Sequence, residues 1–310
     1  MGKLARRLFS LAGDEEVFLR SLAGAQGPMR RRLEAIARSF IAGCHAALET
    51  PRPGRLATRL ARVEPELQTF AYEGAGLGLA LLDATTPWRR HRLTDFIAGP
   101  GAHQTYMLHV GAGWVMRRLP VSQRWFLSGL DPVLRWFAFD GLGFHDAFFQ
   151  ERRIVERTLP PRGIAGSALR PFDAGVGRRL WLVPGPDVSH VPRLIGAFPR
   201  ARQGDLWAGV GEAGTMAGGR DAAALEEVRR AAGRHGPQLA VGASFAAEAR
   251  VRAGIPSPYT DLACRLFCRM EPATAAAVAR ETLAGLPPDG EVPAFVVWRE
   301  RIREHFSQLA

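Results

Sequence analysis

Apolar residues recur at three- and four-residue intervals along most of the chain, the spacing that gathers them on one face of an α-helix. Between Met29 and Leu48 that face holds Leu33, Ile36, Ala37, Phe40, Ile41 and Cys44, which predicts a long amphipathic helix. Similar patterns run from Asp221 to Ala232 and from Thr274 to Leu286, and a terminal helix is expected within 291–310. Proline and glycine punctuate the breaks at Pro51-Arg52-Pro53-Gly54, Gly99-Pro100-Gly101, Pro160-Pro161-Arg162-Gly163, Pro184-Gly185-Pro186 and Pro287-Pro288-Asp289-Gly290. Asp131-Pro132 and Glu271-Pro272 put proline where a helix start tolerates it. Only Arg179 to Val183 has the composition of a short strand, inside a Pro- and Gly-rich stretch from Ile154 to Phe198 that reads as a connector. The expected class is all-α, helical hairpins with one short irregular or β insertion.

Three glycine patterns return in order. Gly43-Cys44-His45-Ala46-Ala47 is echoed by Gly143-Phe144-His145-Asp146-Ala147, Gly74-Ala75-Gly76 by Gly209-Val210-Gly211, and Val110-Gly111-Ala112-Gly113-Trp114 by Val241-Gly242-Ala243-Ser244-Phe245. The order suggests a duplication into two pseudo-symmetric halves, 29–138 and 139–290, behind an N-terminal amphipathic segment, 1–28. Each motif reads as a glycine-rich helix start where two backbones approach closely. From Gly43 to Gly74 is 31 residues but from Gly143 to Gly209 is 66, so the second copy carries 35 extra, placed in an insertion over 154–200.

With 310 residues and 47% hydrophobic content, the chain can bury one large core or two fused ones. Its net charge of +11 would ordinarily suggest nucleic acid. However, Lys3 is the only lysine, so 40 of the 41 basic residues are arginine, and they are scattered; the densest run is Arg30-Arg31-Arg32 beside Glu34. A solvated basic face fits better, and no nucleic-acid partner is expected. Three cysteines, Cys44, Cys264 and Cys268, are too few for a disulfide framework and point to reduced thiols in a cytoplasmic setting. The longest apolar stretch, Leu77 to Leu82, is far below the ~20 residues of a spanning helix. No transmembrane segment is expected, although the first helix can lie on a membrane surface.

Tyr72-Glu73-Gly74-Ala75-Gly76-Leu77, His109-Val110-Gly111-Ala112-Gly113-Trp114, Asp140-Gly141-Leu142-Gly143-Phe144-His145, Asp205-Leu206-Trp207-Ala208-Gly209-Val210-Gly211 and Ala246-Ala247-Glu248-Ala249-Arg250 together resemble a family: domain of unknown function 1702, with members in bacterial enediyne polyketide biosynthesis clusters. The resemblance spans residues 30 to 285. It implies a part in natural-product assembly on a polyene or polyketide skeleton. The chain departs from the family pattern at Glu212, where an apolar residue is expected.

The candidate catalytic residues are His145, Asp140, His45, Glu73 and His109. His45 and His145 hold equivalent places in the repeat, so an approximate dyad could bring two imidazoles together for proton transfer. Neighbours in a helix do not face each other, so Asp146 is not expected to serve His145, leaving Asp140 or a residue from the other half. Glu73, Asp140 and Asp205 each precede a glycine motif and read either as helix caps or as acids. Carboxylic acids in an aromatic cavity could protonate a polyene, with Trp114, Trp136, Phe144 and Trp207 as substrate-binding residues and Trp88 beside them. No metal or cofactor is predicted: diphosphate, nucleotide, nucleophile-elbow and zinc signatures are all missing. The expected function is an enzyme or accessory factor acting on a hydrophobic polyene, polyketide or isoprenoid intermediate. The rival is a non-catalytic helical-repeat protein that docks a polyketide synthase or carrier protein.

Overall fold

The computed structural model describes residues 27–183 and 188–309, together with Gly13, Glu16 and Arg20. The amphipathic segment expected over 1–28 therefore lies almost wholly outside the described residues, as does Pro184-Gly185-Pro186. Nine helices carry the architecture: α1 Gly27–Glu49, α2 Pro65–Thr85, α3 Thr105–Ala112, α4 Phe137–Phe149, α5 Leu169–Trp181, α6 Arg200–Met216, α7 Gly236–Ala253, α8 Pro272–Glu281 and α9 Ala294–Ser307. Pro65 and Pro272 stand in the first helical turn, as does Pro237 of α7, where the missing N–H leaves no bond unmade. α7 ends at Gly254, whose φ of +68° only glycine adopts readily. Further helices such as Pro53–Leu60, Arg92–Ala98 and Ala222–Ala232 lie in the connections between them. No strand occurs among the described residues.

α1 to α8 pack in chain order, each against the next, and glycines set the spacing. A Cβ on Gly74 of α2 would overlap the Phe40 carbonyl of α1, and one on Gly76 would overlap the Leu108 carbonyl of α3. The same division holds for Gly111 and Gly113, Gly141 and Gly143, Gly175 and Gly177, and Gly209 and Gly211: the first glycine meets the helix before and the second the helix after. α1 has Ile41 at the first position and Gly43 at the second, whereas α7 has Gly242 and then Ser244. Gly74 faces Phe40 and Cys44 while Gly78 faces Cys44 and Ala47. Residue numbers rise together across that contact, so α1 and α2 run in the same sense.

The repeating unit is thus one helix, with first glycines 30 to 37 residues apart, which is shorter than the halves suggested by the sequence. The 35 residues read as an insertion are one further unit, since α5 joins the array through Gly175 and Gly177. The strand expected at 179–183 is instead the end of α5 and the turn after it, where Leu180 and Trp181 are buried on the helix's packed side. Nor are the motifs helix starts. Most lie within helices, and Gly113 stands just after the end of α3, because what requires glycine is contact between backbones; glycine's cost of ~1 kcal/mol relative to alanine is offset by that packing.

The start of the array reaches the region of α6 and α7. Arg32 of α1 donates to Glu66 of α2 at 3.0 Å and to the Ala217 carbonyl after α6, with its guanidinium 3.9 Å above the Tyr259 ring. Arg250 of α7 donates to the Glu66 and Met216 carbonyls. α9 fills one side of the enclosed space: Trp298 is fully buried, 4.7 Å from Phe245, and Phe295 lies 5.3 Å from Phe137. Each such aromatic contributes about 3 kcal/mol through the area it removes from water.

Candidate functional site

The residues flanking each glycine pair point to the interior. Just before the first glycine stand Glu73, Val110, Asp140, Ala174, Ala208 and Val241; just after the second stand Leu77, Trp114, Phe144, Arg178, Glu212 and Phe245. All are buried. Four of the twelve are charged, and those four meet. Arg178 of α5 donates through Nη1 to Asp140 at 2.6 Å and through Nη2 to Glu73 at 3.1 Å, while its Nε lies 3.5 Å from Glu212. Helices α2, α4, α5 and α6 thus each supply one member.

Charge is not balanced within this cluster, where three carboxyls share one guanidinium. Burial raises the pKa of Glu73 and Asp140 even though Arg178 opposes the shift. Glu212 is pushed up to about 8, first by burial and then by repulsion from Asp140, with only partial relief from Arg178. Burial works against a charged Arg178, yet the three carboxyls outweigh it and hold the guanidinium pKa above its ordinary value. A second polar chain lies alongside. Asp205 accepts from Arg299 of α9 at 2.7 Å and from Arg170 at 3.3 Å, and Arg170 reaches Glu300 at 2.6 Å.

Glu73 and Arg178 also form the polar wall of a cavity of about 60 Å³ whose other surfaces are apolar. Leu33, Ile36, Ala37 and Phe40 of α1 close one side, and Phe144, Phe148, Leu182, Ala213 and Met216 the other. Trp114 lies between them, its ring centroid 4.7 Å from Phe40 and 6.2 Å from Phe144. The Arg178 guanidinium sits 4.8 Å from the Phe144 ring, so that face of the ring is already used.

Of the expected catalytic residues, Glu73 and Asp140 converge, and the histidines do not join them. His145 Nδ1 is 3.2 Å from Asp146 Oδ1, with the ring packed 5.1 Å from Trp114. The neighbour judged unable to face it is therefore its partner. Arg117 grips both oxygens of Asp146, at 3.1 and 2.9 Å, and so holds the carboxylate within reach of the imidazole. His109 is buried, its Nδ1 2.7 Å from the Thr105 carbonyl one helical turn away, and burial lowers its pKa. His45 is half-buried on α1 and does not line the cavity. Among the described residues, no group of three or more His, Cys, Asp or Glu side chains is placed to hold a metal ion.

Of the expected substrate-binding aromatics, Trp114 and Phe144 line the cavity, but Trp136 and Trp207 do not. Trp136 stacks on Phe295 of α9 at 6.3 Å and Trp207 is packed within the array. Trp88 is 76% exposed. Asp205 turns to α9 rather than capping a helix, and Glu73 sits in mid-helix, so neither is a cap. Sequence reasoning missed Arg178 altogether and met Glu212 only as a departure from a family pattern. A signal existed: aligned on the one-helix period, both occupy the position that is Leu77, Trp114, Phe144 and Phe245 in other units.

A family model described as Protein of unknown function (DUF1702) matches residues 1–306. No curated protein and no solved structure matches the chain.

Proposed function

We propose that this chain, which belongs to the DUF1702 family, is a biosynthetic enzyme or accessory factor that takes an apolar segment of a polyene or polyketide intermediate into the aromatic cavity. The carrying observation is the placement of Glu73: a buried carboxyl, fixed by Arg178, on the wall of a cavity otherwise built from Phe40, Phe70, Trp114, Phe144 and aliphatic side chains. Such a wall repels a polar ligand and leaves one acid–base group facing a nonpolar one. Glu73 would add a proton to a conjugated double bond or remove one from an adjacent carbon; as the acid returns to its first state, the net change is rearrangement of the ligand's own bonds.

The reading is tested by titrating the full chain with a fluorescent conjugated tetraene acid. The cavity, at about 60 Å³, admits only the apolar tip of such a probe; one tetraene per chain is expected to bind by that tip, and Ala213→Phe, which fills the cavity, should weaken binding at least tenfold while circular dichroism is unchanged. Equal affinity in the two proteins would overturn the proposal.

A further inference from the structure

Every ionised partner available to the Arg178 cluster can be counted. From α2 comes Glu73, from α4 Asp140, from α6 Glu212, and among the described residues the only guanidinium bonded to them is that of α5. Arg299 of α9 also attracts Asp140 and Glu212, but it is bonded to Asp205, which Arg170 approaches as well; α7 offers Phe245 at the equivalent position. Three ionised carboxyls around Arg178 would leave two negative charges without a bonded cation of their own, in a buried site where Arg299 offsets them only from a distance. A buried charge without a partner neutralises by taking up a proton.

We infer that the cluster holds one exchangeable proton in its resting state and that Glu212 is where it resides. The geometry chooses Glu212. Asp140 accepts at 2.6 Å and Glu73 at 3.1 Å, both in hydrogen bonds that favour the ionised form, whereas Glu212 has only the 3.5 Å approach to Nε. The upward displacement of its pKa agrees. With that proton in place the cluster carries one net negative charge; without it, two.

This assigns Glu212 a positioning role for the acid–base work proposed above, and in that respect it rests on the same reading. Glu73 alone of the three carboxyls faces the cavity, and its willingness to take a proton depends on whether Glu212 holds one, because the three titrate as a unit. A neutral Glu212 keeps Glu73 ionised and basic; ionising Glu212 drives a proton onto Glu73. The proton count is conserved throughout, and no co-reactant is needed.

Infrared difference spectroscopy of the full chain without ligand tests this independently of what the cavity binds. At pH 6.5 a carboxylic-acid C=O stretch that shifts in heavy water is expected. It should fade as the pH passes 8, be missing in Glu212→Gln, and fade at a lower pH in Asp140→Asn, where the repulsion that helps hold the proton on Glu212 is gone. Absence of such a band in the wild-type chain, or its persistence unchanged in a folded Glu212→Gln, would overturn the inference. Failure of tetraene binding with the band present would instead count against the proposed function alone.

Discussion

The Cα of Gly175 lies against the carbonyl oxygen of Asp140, so that the backbone of α5 touches the backbone of α4 one turn from the point where Arg178 reaches the Asp140 carboxylate. The glycine array and the charged cluster are therefore one device. Without the close approach, a side chain the length of arginine could not bond carboxyls on two flanking helices and a third across the interior.

Gly175→Ala should accordingly be among the most damaging single-methyl additions to the chain. The new Cβ would sit inside the Asp140 carbonyl, so α4 and α5 must separate, an overpacking cost of about 3 kcal/mol or more. At Gly54, a Cβ meets nothing within 4 Å, and Gly54→Ala should change stability by ~0.5 kcal/mol or stabilise slightly. Denaturant unfolding of the two variants compares them directly.

Removing the shared cation gives a different signature. Arg178→Met leaves Glu73, Asp140 and Glu212 buried without their partner, for which a loss of about 3 to 5 kcal/mol is expected near neutral pH. The loss should shrink at pH 5, where carboxyls whose pKa is already raised accept protons more easily. A deficit that is the same at both pH values would show that packing, not charge, dominates.

The stability of the wild-type chain should fall on the alkaline side. Glu212 titrates at about 8 in the folded chain and near its ordinary value of 4.5 when unfolded. A raised acid contributes stability that is full below the unfolded value and is lost as pH rises through the folded one. Asp173, raised to about 6 by burial against the bonds from Arg202, acts in the same direction at lower pH. Between pH 6.5 and 8 Glu212 contributes a decline in Tm, with Glu73 and Asp140 raised in the same direction, and Glu212→Gln should make the decline shallower.

His145 and Asp146 should separate in mutational cost. His145→Ala removes a ring that props Trp114 and Phe149, leaving Asp146 with both Arg117 bonds. Asp146→Ala takes the carboxylate from both Arg117 Nε and the His145 imidazole, leaving Arg117 its bond to the Arg162 carbonyl. Its cost should be about 3 kcal/mol, against ~1 kcal/mol for His145→Ala, in thermal or denaturant unfolding.

The helices were legible because their apolar spacing is local: the patterns at 29–48 and 221–232 correspond to α1 and to Ala222–Ala232. The glycine motifs were legible as close contacts, but their period was not. Matching Gly143 to Gly43 skips Gly141 beside it, the residue that defines the one-helix unit. Glu73, Asp140, Trp114 and Phe144 could be found because each adjoins a glycine pair. Arg178 also adjoins a pair, Gly175 and Gly177, but that pair stands out only on the one-helix period, and the carboxyls that give Arg178 its importance lie 105 and 38 residues earlier. Trp136 and Trp207 misled for the same reason: an aromatic side chain in an interior built from aromatics does not say which part of that interior it fills.

The account stands or falls on the cavity bounded by Phe40, Trp114, Phe144 and Glu73. Native mass spectrometry of the full chain purified from its own host measures its occupancy most directly. A single bound species of conjugated polyene or polyketide character is predicted in the wild-type chain and its loss in Ala37→Phe, which fills the cavity from the α1 side. A bare chain mass for the wild type, or the same bound species retained in the filled variant, would contradict it.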